Sequence, residues 1–172
     1  MTRKCFLSLF TVILLLLSSS ALGQDYPRME VFGGFSYLSA DAGTRESFYG
    51  WQASISANFN ENVGLTLDSG GQYKSAFGIT LQAYEFLLGP RYIIRGERFT
   101  GFAHALIGLE HARAGGFSDT AFAMAFGGGV DVNASDRIAI RAFQLDYIPV
   151  SSSGAWTHDA RVGAGVVFKF MQ

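Results

Sequence analysis

Hydrophobic and polar residues alternate with a period of two along most of the chain after residue 24. In residues 50–59 every second residue is apolar, and the residues between them are polar. Successive side chains of a β-strand point to opposite faces, so this pattern predicts a strand with one apolar and one polar face. Seven further segments follow the same pattern. The eight predicted strands cover residues 29–38, 50–59, 63–73, 80–93, 99–111, 121–132, 137–148 and 159–170.

The seventh predicted strand breaks the alternation. Ile138 and Ile140 have the same parity as the polar residues Gln144 and Asp146. A β-bulge near Ala142-Phe143 would restore the pattern, because one extra residue in a strand inverts the facing of everything that follows. The alternative is a plain strand end exposed to solvent. The bulge would return three side chains to the apolar face, namely Phe143, Leu145 and Tyr147.

The connections between the predicted strands alternate in length. Four are longer and are predicted to be loops, at residues 39–49, 74–79, 112–120 and 149–158. Three are tight and rich in turn-forming residues, at 60–62, 95–98 and 133–136. Long loops at one end and short turns at the other are typical of an outer-membrane barrel with both chain ends on the periplasmic side. Strands of roughly 10 to 13 residues also suit a tilted membrane crossing, which needs about 9 to 11.

Residues 1–23 have the three regions of a secretory signal peptide. Arg3 and Lys4 precede an apolar run over residues 6–17, and small residues follow at 18–23. A retained membrane anchor is the alternative, but the apolar run is short for a span of about 20 residues. Cleavage before Gln24 would remove Cys5, and it would reduce the 13 basic residues to 11 against 14 acidic ones.

Composition narrows the class of protein further. A chain of 172 residues with 49% hydrophobic residues suits one domain, predicted at residues 24–172, and the single cysteine excludes a disulfide framework. A net charge of -1 provides no basic surface for nucleic acid. The mean hydropathy of +0.22 is high for a soluble protein. No run of 18 apolar residues follows residue 24, which leaves strands as the membrane-spanning elements.

The distribution of charge favours a membrane barrel over a soluble, lipocalin-like one. Both have eight alternating strands, but a soluble barrel turns its apolar face inward and carries many charges outside. Here the polar face carries mainly Gly, Ser, Thr and Ala between single charges, which suits a narrow interior. Ten charged residues lie on this face and none on the apolar face: Glu30, Asp68, Glu85, Arg91, Glu110, Asp131, Arg141, Asp146, Arg161 and Lys169.

Aromatic residues occur near both ends of the apolar face. Two interfacial girdles of aromatic rings are typical of outer-membrane barrels, whereas scattered aromatics in a soluble core are the alternative. The predicted girdles are Tyr37, Trp51, Tyr73, Tyr84 and Tyr147 near the loops, and Phe59, Tyr92, Phe99 and Phe168 near the turns. The sequence therefore predicts an all-β, eight-stranded antiparallel up-and-down transmembrane β-barrel.

Strand alignment predicts ion pairs inside the barrel. Three pairs are expected at similar heights on neighbouring strands: Asp146 with Arg161, Asp131 with Arg141, and Glu30 with Lys169. Desolvated charges are tolerated only when paired, although individual hydration in small water pockets is the alternative. The full set of candidates is Glu30, Glu85, Arg91, Glu110, Asp131, Arg141, Asp146, Arg161 and Lys169.

The sequence offers little support for catalysis. It contains no G-x-S-x-G, no H-E-x-x-H and no Cys/His cluster, so no catalytic, cofactor-binding or metal-binding residue is predicted. His104 lies on the polar face, six residues from Glu110, and His158 is predicted to lie in a loop. The three consecutive glycines at 127–129 precede no helix, so they are not expected to bind phosphate.

Three short segments resemble the OmpA-like outer-membrane β-barrel family. They are Gly-Pro-Arg-Tyr at 89–92, Gly-Gly-Gly-Val-Asp at 127–131 and Gln-Leu-Asp-Tyr at 144–147. The resemblance covers residues 24–172 and implies insertion by the barrel assembly machinery, which favours a terminal strand ending in an aromatic residue. Here Phe170 is followed by two more residues. The peptidoglycan-binding domain of many relatives is not found, so peptidoglycan anchoring is not implied.

Two functions are consistent with this fold. The first is a structural or surface-interaction role in the outer membrane; the second is a small passive, porin-like channel. Eight strands leave an interior nearly filled by side chains, which favours the first. The expected partners are outer-membrane lipid and lipopolysaccharide, and the chain is expected to be a monomer whose external ligand the sequence does not name. Predicted loop aromatics that could contact a partner are Phe48, Tyr49, Phe77, Phe117 and Trp156.

Overall fold

The structure is a computed structural model that describes residues 26–41, 45–76, 79–114, 117–152 and 155–170. The predicted signal peptide at residues 1–23 lies outside the described residues. The same is true of Phe77, of the side chain of Phe117 and of the two residues after Phe170.

Eight antiparallel strands form a closed barrel in which each strand pairs with its neighbours in chain order and β1 pairs with β8. The predicted fold class is therefore confirmed. Within the described part of the chain, no helix is long and apolar enough to cross a membrane. The strands are β1 (Met29–Asp41), β2 (Arg45–Asn58), β3 (Val63–Ala76), β4 (Ile79–Arg95), β5 (Phe99–Ala114), β6 (Phe117–Asn133), β7 (Ile138–Ser152) and β8 (Ala155–Phe170).

The prediction of long loops at one end of the barrel is wrong. The strands extend into those segments, so only residues 42–44, 77–78, 115–116 and 153–154 separate the strand pairs there. We call this the loop end, and the opposite end, with connections at 59–62, 96–98 and 134–137, the turn end. The strands extend beyond the alternating segments because ladder hydrogen bonds form between backbones and do not require apolar side chains. Asp41, for example, pairs with Arg45 although neither is apolar.

Three predicted loop aromatics consequently lie on strands. Phe48 and Tyr49 belong to β2, and Trp156 belongs to β8. Phe48 points inward and packs against buried hydrophobic residues, whereas Tyr49 and Trp156 are exposed on the outer surface. His158, also predicted in a loop, lies on β8 and stacks on Tyr147.

The β-bulge in β7 is confirmed. Val130 pairs with Phe143 and Asp131 pairs with Arg141, so Ala142 is the extra residue. The pairing of β7 with β8 shifts by one residue at the same place, between Arg141 and Gln144. Beyond the bulge the three apolar side chains face outward, as predicted, and the polar residues between them are buried: Phe143, Leu145 and Tyr147 outside, Gln144 and Asp146 inside.

Pro90 marks a gap in the ladder between β4 and β5. Pairing runs through Leu88 and resumes at Arg91, with Gly89 and Pro90 unpaired to β5. Proline has no backbone N–H, so residue 90 cannot donate a ladder hydrogen bond, and the gap lies at this position. On its other side Pro90 is opposite Leu65 in β3, and the register is the same before and after the gap.

The two faces of the barrel have opposite polarity, as the alternation predicts. The outer surface carries large exposed hydrophobic residues from every strand, while ten charged side chains are buried on the inner face. The predicted girdle near the loop end is connected by contacts: Tyr37 packs against Tyr49, and the Tyr73 hydroxyl accepts a hydrogen bond from the Trp51 indole and donates one to the Tyr84 hydroxyl. Such aromatic belts lie at the headgroup level of a bilayer.

Candidate functional site

Arg161 lies fully buried in the lumen and contacts three carboxylates. Its Nη1 donates to Glu85 Oε2 at 2.8 Å. Its Nη2 donates to Asp68 Oδ1 at 2.9 Å and to Asp146 Oδ2 at 2.8 Å. The carboxylates come from β3, β4 and β7, so one side chain of β8 links four strands across the lumen.

The Gln52 amide and the His104 imidazole also bind the carboxylates of this site. Gln52 Nε2 donates to Asp68 Oδ2 at 2.8 Å, and His104 Nε2 lies 2.8 Å from Asp146 Oδ1. Hydrogen bonds from neutral donors reduce the cost of keeping three carboxylates near one arginine, because buried acceptors need partners. We call this group the central cluster; its charged and titratable members are Asp68, Glu85, His104, Asp146 and Arg161.

A second group of charges lies closer to the turn end. Arg91 Nη1 and Arg95 Nη1 donate to the two oxygens of Glu30, at 2.7 and 3.0 Å. Arg141 binds Asp131 with two parallel hydrogen bonds, at 2.8 and 3.1 Å. Paired bonds of this kind are among the strongest side-chain contacts. We call this group the turn-end cluster; it comprises Glu30, Arg91, Arg95, Asp131, Arg141 and Lys169.

Two inward-facing phenylalanines stack on the arginines of the turn-end cluster. The Arg141 guanidinium lies 4.2 Å from the ring centroid of Phe32 and 4.2 Å from that of Phe102. Arg91 lies over Phe102 at 4.3 Å. A cation over an aromatic face is attracted by the electron-rich face of the ring (its quadrupole), and this attraction is larger when both groups are desolvated. The strand patterns gave no reason to single out these two residues.

The charges are segregated along the lumen. The central cluster has three carboxylates against one arginine, apart from His104, whereas the turn-end cluster has four cations against two carboxylates. The formal charges are therefore about -2 and +2, so the two clusters balance each other. Gln144 connects the clusters, because its Oε1 accepts from Arg141 Nη1 at 2.7 Å and its Nε2 donates to Asp146 at 2.8 Å.

The structure brings together two of the three expected ion pairs. Arg161 reaches Asp146 and Arg141 reaches Asp131, each with a closest distance of 2.8 Å. Neither pair is isolated, since Arg161 also binds two carboxylates from β3 and β4. Long side chains that cross a narrow lumen reach strands that are not neighbours, which strand alignment alone does not reveal.

The expected pair between Glu30 and Lys169 is a wrong prediction. The two residues are opposite each other in the β1–β8 register, but Glu30 binds Arg91 and Arg95 instead. Lys169 Nζ donates to Asn133 Oδ1 at 2.6 Å. The arginines of β4 reach across the barrel, and their planar groups match a carboxylate better than a lysine amine does.

Glu110 lies apart from both clusters. It faces the lumen near the loop end and, among the described residues, forms no ion pair. Its register partner on β4 is Glu85, whose Oε1 is buried without a hydrogen-bond partner. Two carboxylates therefore lie side by side on the same inward face, and only Glu85 reaches Arg161.

Gly127 explains part of the run of three glycines. It lies opposite Asp146 in the β6–β7 register, and a Cβ at this position would collide with Asp146 Oδ1 and with the Leu145 carbonyl. The absence of a side chain therefore leaves space for the carboxylate that binds Arg161 and His104. Gly127 therefore has a packing role inside the barrel.

The turn end of the lumen is covered by residues preceding β1. Tyr26 is buried there, with its hydroxyl donating to the Phe59 carbonyl at 3.0 Å and the Arg95 guanidinium 6.0 Å from its ring centroid. Asn58 Nδ2 donates to the Pro27 carbonyl at 2.7 Å. These contacts hold residues 26–28 against the end of the barrel.

A cavity of about 560 Å³ opens at the loop end. Six apolar side chains line it, together with the carboxylates Glu110 and Asp159 on the inward face and polar residues at the rim. Within the described ranges, no group of three or more His, Cys, Asp or Glu is placed to hold a metal ion. The apolar lining residues are Leu38, Ala40, Phe48, Leu81, Ala83 and Ala112.

These features define a class of protein. A closed barrel of eight antiparallel strands with an apolar exterior and a charged, side-chain-filled lumen is the fold of the small outer-membrane β-barrels. The fold expected from the family resemblance is thereby confirmed. No protein-family model matches the sequence, and no curated protein matches it.

Solved structures supply the particular likenesses. Neisserial surface protein A is similar at a TM-score of 0.71 and 14% identity, over 83% of this chain and 97% of that one. Ail of Yersinia pestis, in complex with the heparin analogue sucrose octasulfate, has a TM-score of 0.57 and 16% identity, over 81% and 97%. OprG of Pseudomonas aeruginosa has a TM-score of 0.58 and 12% identity, over 87% and 99%. At these identities the likeness is one of fold.

Proposed function

We propose that this chain is an integral outer-membrane protein with a structural or surface-interaction role, and that its lumen does not conduct. The observation that carries the proposal is the contact of Arg161 with three carboxylates from three other strands, in the middle of the lumen. A permeating ion would have to separate these buried pairs. Removing one partner of such a pair typically costs about 3 to 5 kcal/mol.

The contacts at the turn end give further support. Tyr26 is buried at that end against Arg95, and Arg95 in turn binds Glu30 of the turn-end cluster. The apolar exterior supports placement in a bilayer, and the similar solved structures are named as outer-membrane or surface proteins. Surface interaction is also consistent with the structural neighbour Ail, the attachment invasion locus protein of Yersinia pestis.

The proposal includes partners. The exposed aromatic residues near the loop end would contact outer-membrane lipid and lipopolysaccharide, because such rings favour the headgroup region. Insertion would require the barrel assembly machinery, and the protein would act as a monomer. Removal of residues 1–23 during export is part of the same proposal.

Conductance in planar bilayers tests the proposal. Protein that shows heat-modifiable gel mobility, and is therefore folded, is reconstituted in parallel with a variant lacking the central contacts, Asp68→Ala/Arg161→Ala. We expect the unmodified protein to give no steady openings at moderate voltage, and any openings to be confined to the variant. Steady, ion-selective openings of the unmodified protein would overturn the proposal in favour of a small passive channel.

A further inference from the structure

The loop-end cavity is large enough for a small organic molecule. Its volume of about 560 Å³ lies within the range of about 300 to 1,000 Å³ typical of small-molecule sites. It occupies the inward side of the strands, above the central cluster, and it opens away from the turn end. The proposed structural role makes no use of it.

One wall of the cavity is apolar and continuous with a packed interior. Leu38 lines the cavity and belongs to a buried cluster that includes Leu87, Leu106 and Ile148, with Ala40 and Phe48 packed against it. Side chains held by such packing keep their positions, so the wall exists before a ligand arrives. It would contact the hydrocarbon part of a bound molecule.

The charged groups that face inward in the cavity are acidic. Among the described residues, Glu110 forms no ion pair, and the one hydrogen bond to buried Asp159 comes from the backbone N–H of Asp41, at 2.8 Å. The nearby cation at the rim, Arg113, donates to His111 at 3.0 Å.

The central cluster beneath the cavity cannot neutralise this charge. Arg161 is already shared by three carboxylates, and Glu85 keeps one buried oxygen without a hydrogen-bond partner next to Glu110. By formal count, the interior next to the cavity therefore has more carboxylates than cations, while the excess of cations lies at the turn end. Charge complementarity favours a positively charged ligand and disfavours an anion.

We propose that the loop-end cavity binds a small organic cation with an apolar body, an aryl- or alkyl-ammonium compound. The ammonium group would lie between Glu110 and Asp159, and the apolar body would lie against Leu38, Phe48 and Ala112. A buried carboxylate without a cation gains most from a charged donor, since each unpaired charge is costly in a dry environment. This site is independent of whether the barrel conducts.

Calorimetric titration of the barrel in lipid nanodiscs tests this proposal, with empty nanodiscs as the blank. The probe is phenethylammonium; 2-phenylethanol is the neutral analogue and 3-phenylpropionate the anionic one. We expect phenethylammonium to bind at least tenfold more tightly than 2-phenylethanol, and 3-phenylpropionate not to bind. Equal binding of the neutral and cationic probes would overturn the proposal. So would the absence of any binding of phenethylammonium at concentrations up to about 10 mM.

Variants separate the two parts of the site. Glu110→Gln should weaken phenethylammonium at least tenfold and leave 2-phenylethanol unchanged, whereas Ala112→Phe should fill the cavity and weaken both probes. Glu97→Gln, at the turn end, is the matched control and should bind like the unmodified protein. Heat-modifiable mobility of every variant shows that it is folded. Unchanged affinity of folded Glu110→Gln would exclude the carboxylate as the ammonium site.

Discussion

Arg161 balances the charge in the middle of the lumen. Its guanidinium is the group that compensates Asp68, Glu85 and Asp146, and all four side chains are buried. A buried network of charges stabilises the fold most when every donor and acceptor has a partner. The loss of one member leaves a buried charge uncompensated. The stability of the barrel should therefore depend strongly on this residue.

We predict that Arg161→Met lowers the free energy of unfolding by about 3 to 5 kcal/mol, because three carboxylates lose their cation. Asp146→Asn should cost less, and the double variant should lose less than the two single losses combined, since both remove the same contact. Urea unfolding in detergent micelles measures all three.

The half-buried ion pair of Lys74 and Glu46 is the control for this experiment. Lys74→Met should cost less than about 1 kcal/mol, because water still reaches both groups. Strictly additive losses for Arg161→Met and Asp146→Asn would contradict the pairing.

Strand β7 shows how one residue sets the facing of an element. Before Ala142 the outward residues are Ile138 and Ile140; after it the outward residues have the opposite parity. If β7 kept a regular two-residue repeat through Ala142, with no bulge, Gln144 and Asp146 would face lipid, where a charged side chain is costly. The bulge is therefore needed for the central cluster to form at all, since Asp146 is one of its members.

Deletion of Ala142 should leave the barrel able to fold, because Arg141 then joins Phe143 directly and every remaining residue of β7 keeps its face and its pairing partner. Heat-modifiable mobility after refolding into micelles is the measurement. The control is Ala142→Val, which keeps the extra residue and adds an apolar side chain to an exposed position, and which should fold normally. A deletion variant that fails to fold while the control folds would show that the barrel requires the bulge itself, and not only the correct facing of β7.

The molecule as a whole has an apolar outer surface and buried charges on its inner face. Closure of β1 on β8 leaves no free edge strand, which is the condition for strands to cross hydrocarbon. In this arrangement the depth of an outward residue in the membrane, and not only its exposure, should determine the cost of a charge there.

Two outward residues of β5 allow a direct test. Ile107 and Phe99 are both 58% exposed, but Ile107 lies in the middle of the strand and Phe99 at the turn end. We predict that Ile107→Arg destabilises the barrel by about 2 to 4 kcal/mol in lipid and that Phe99→Arg costs about 0 to 1 kcal/mol. Unfolding in lipid vesicles measures both. Equal costs would mean that the outer surface does not lie in hydrocarbon.

The number of strands, their faces and the bulge could be predicted from the sequence because each is a local property. Parity along a strand decides which side chains share a face, and a break in parity at Ala142 is visible without knowing the neighbours of the strand. The inward position of all nine candidate ion-pair residues follows from the same rule. The role of inward-facing apolar residues such as Phe32 and Phe102 could not be predicted in this way, because an apolar residue type does not distinguish the inner face from the outer one.

The tertiary structure alone decided the strand ends and the ion-pair partners. Arg45 and Asp41 pair through their backbones and extend the hairpin of β1 and β2, which the pattern of side chains does not predict. Glu30 binds Arg91, 61 residues away, rather than its strand neighbour Lys169, because closure of the barrel brings opposite walls within reach of an arginine. Alternation thus determined what lies inside and outside, whereas the narrow lumen determined which interior charges meet.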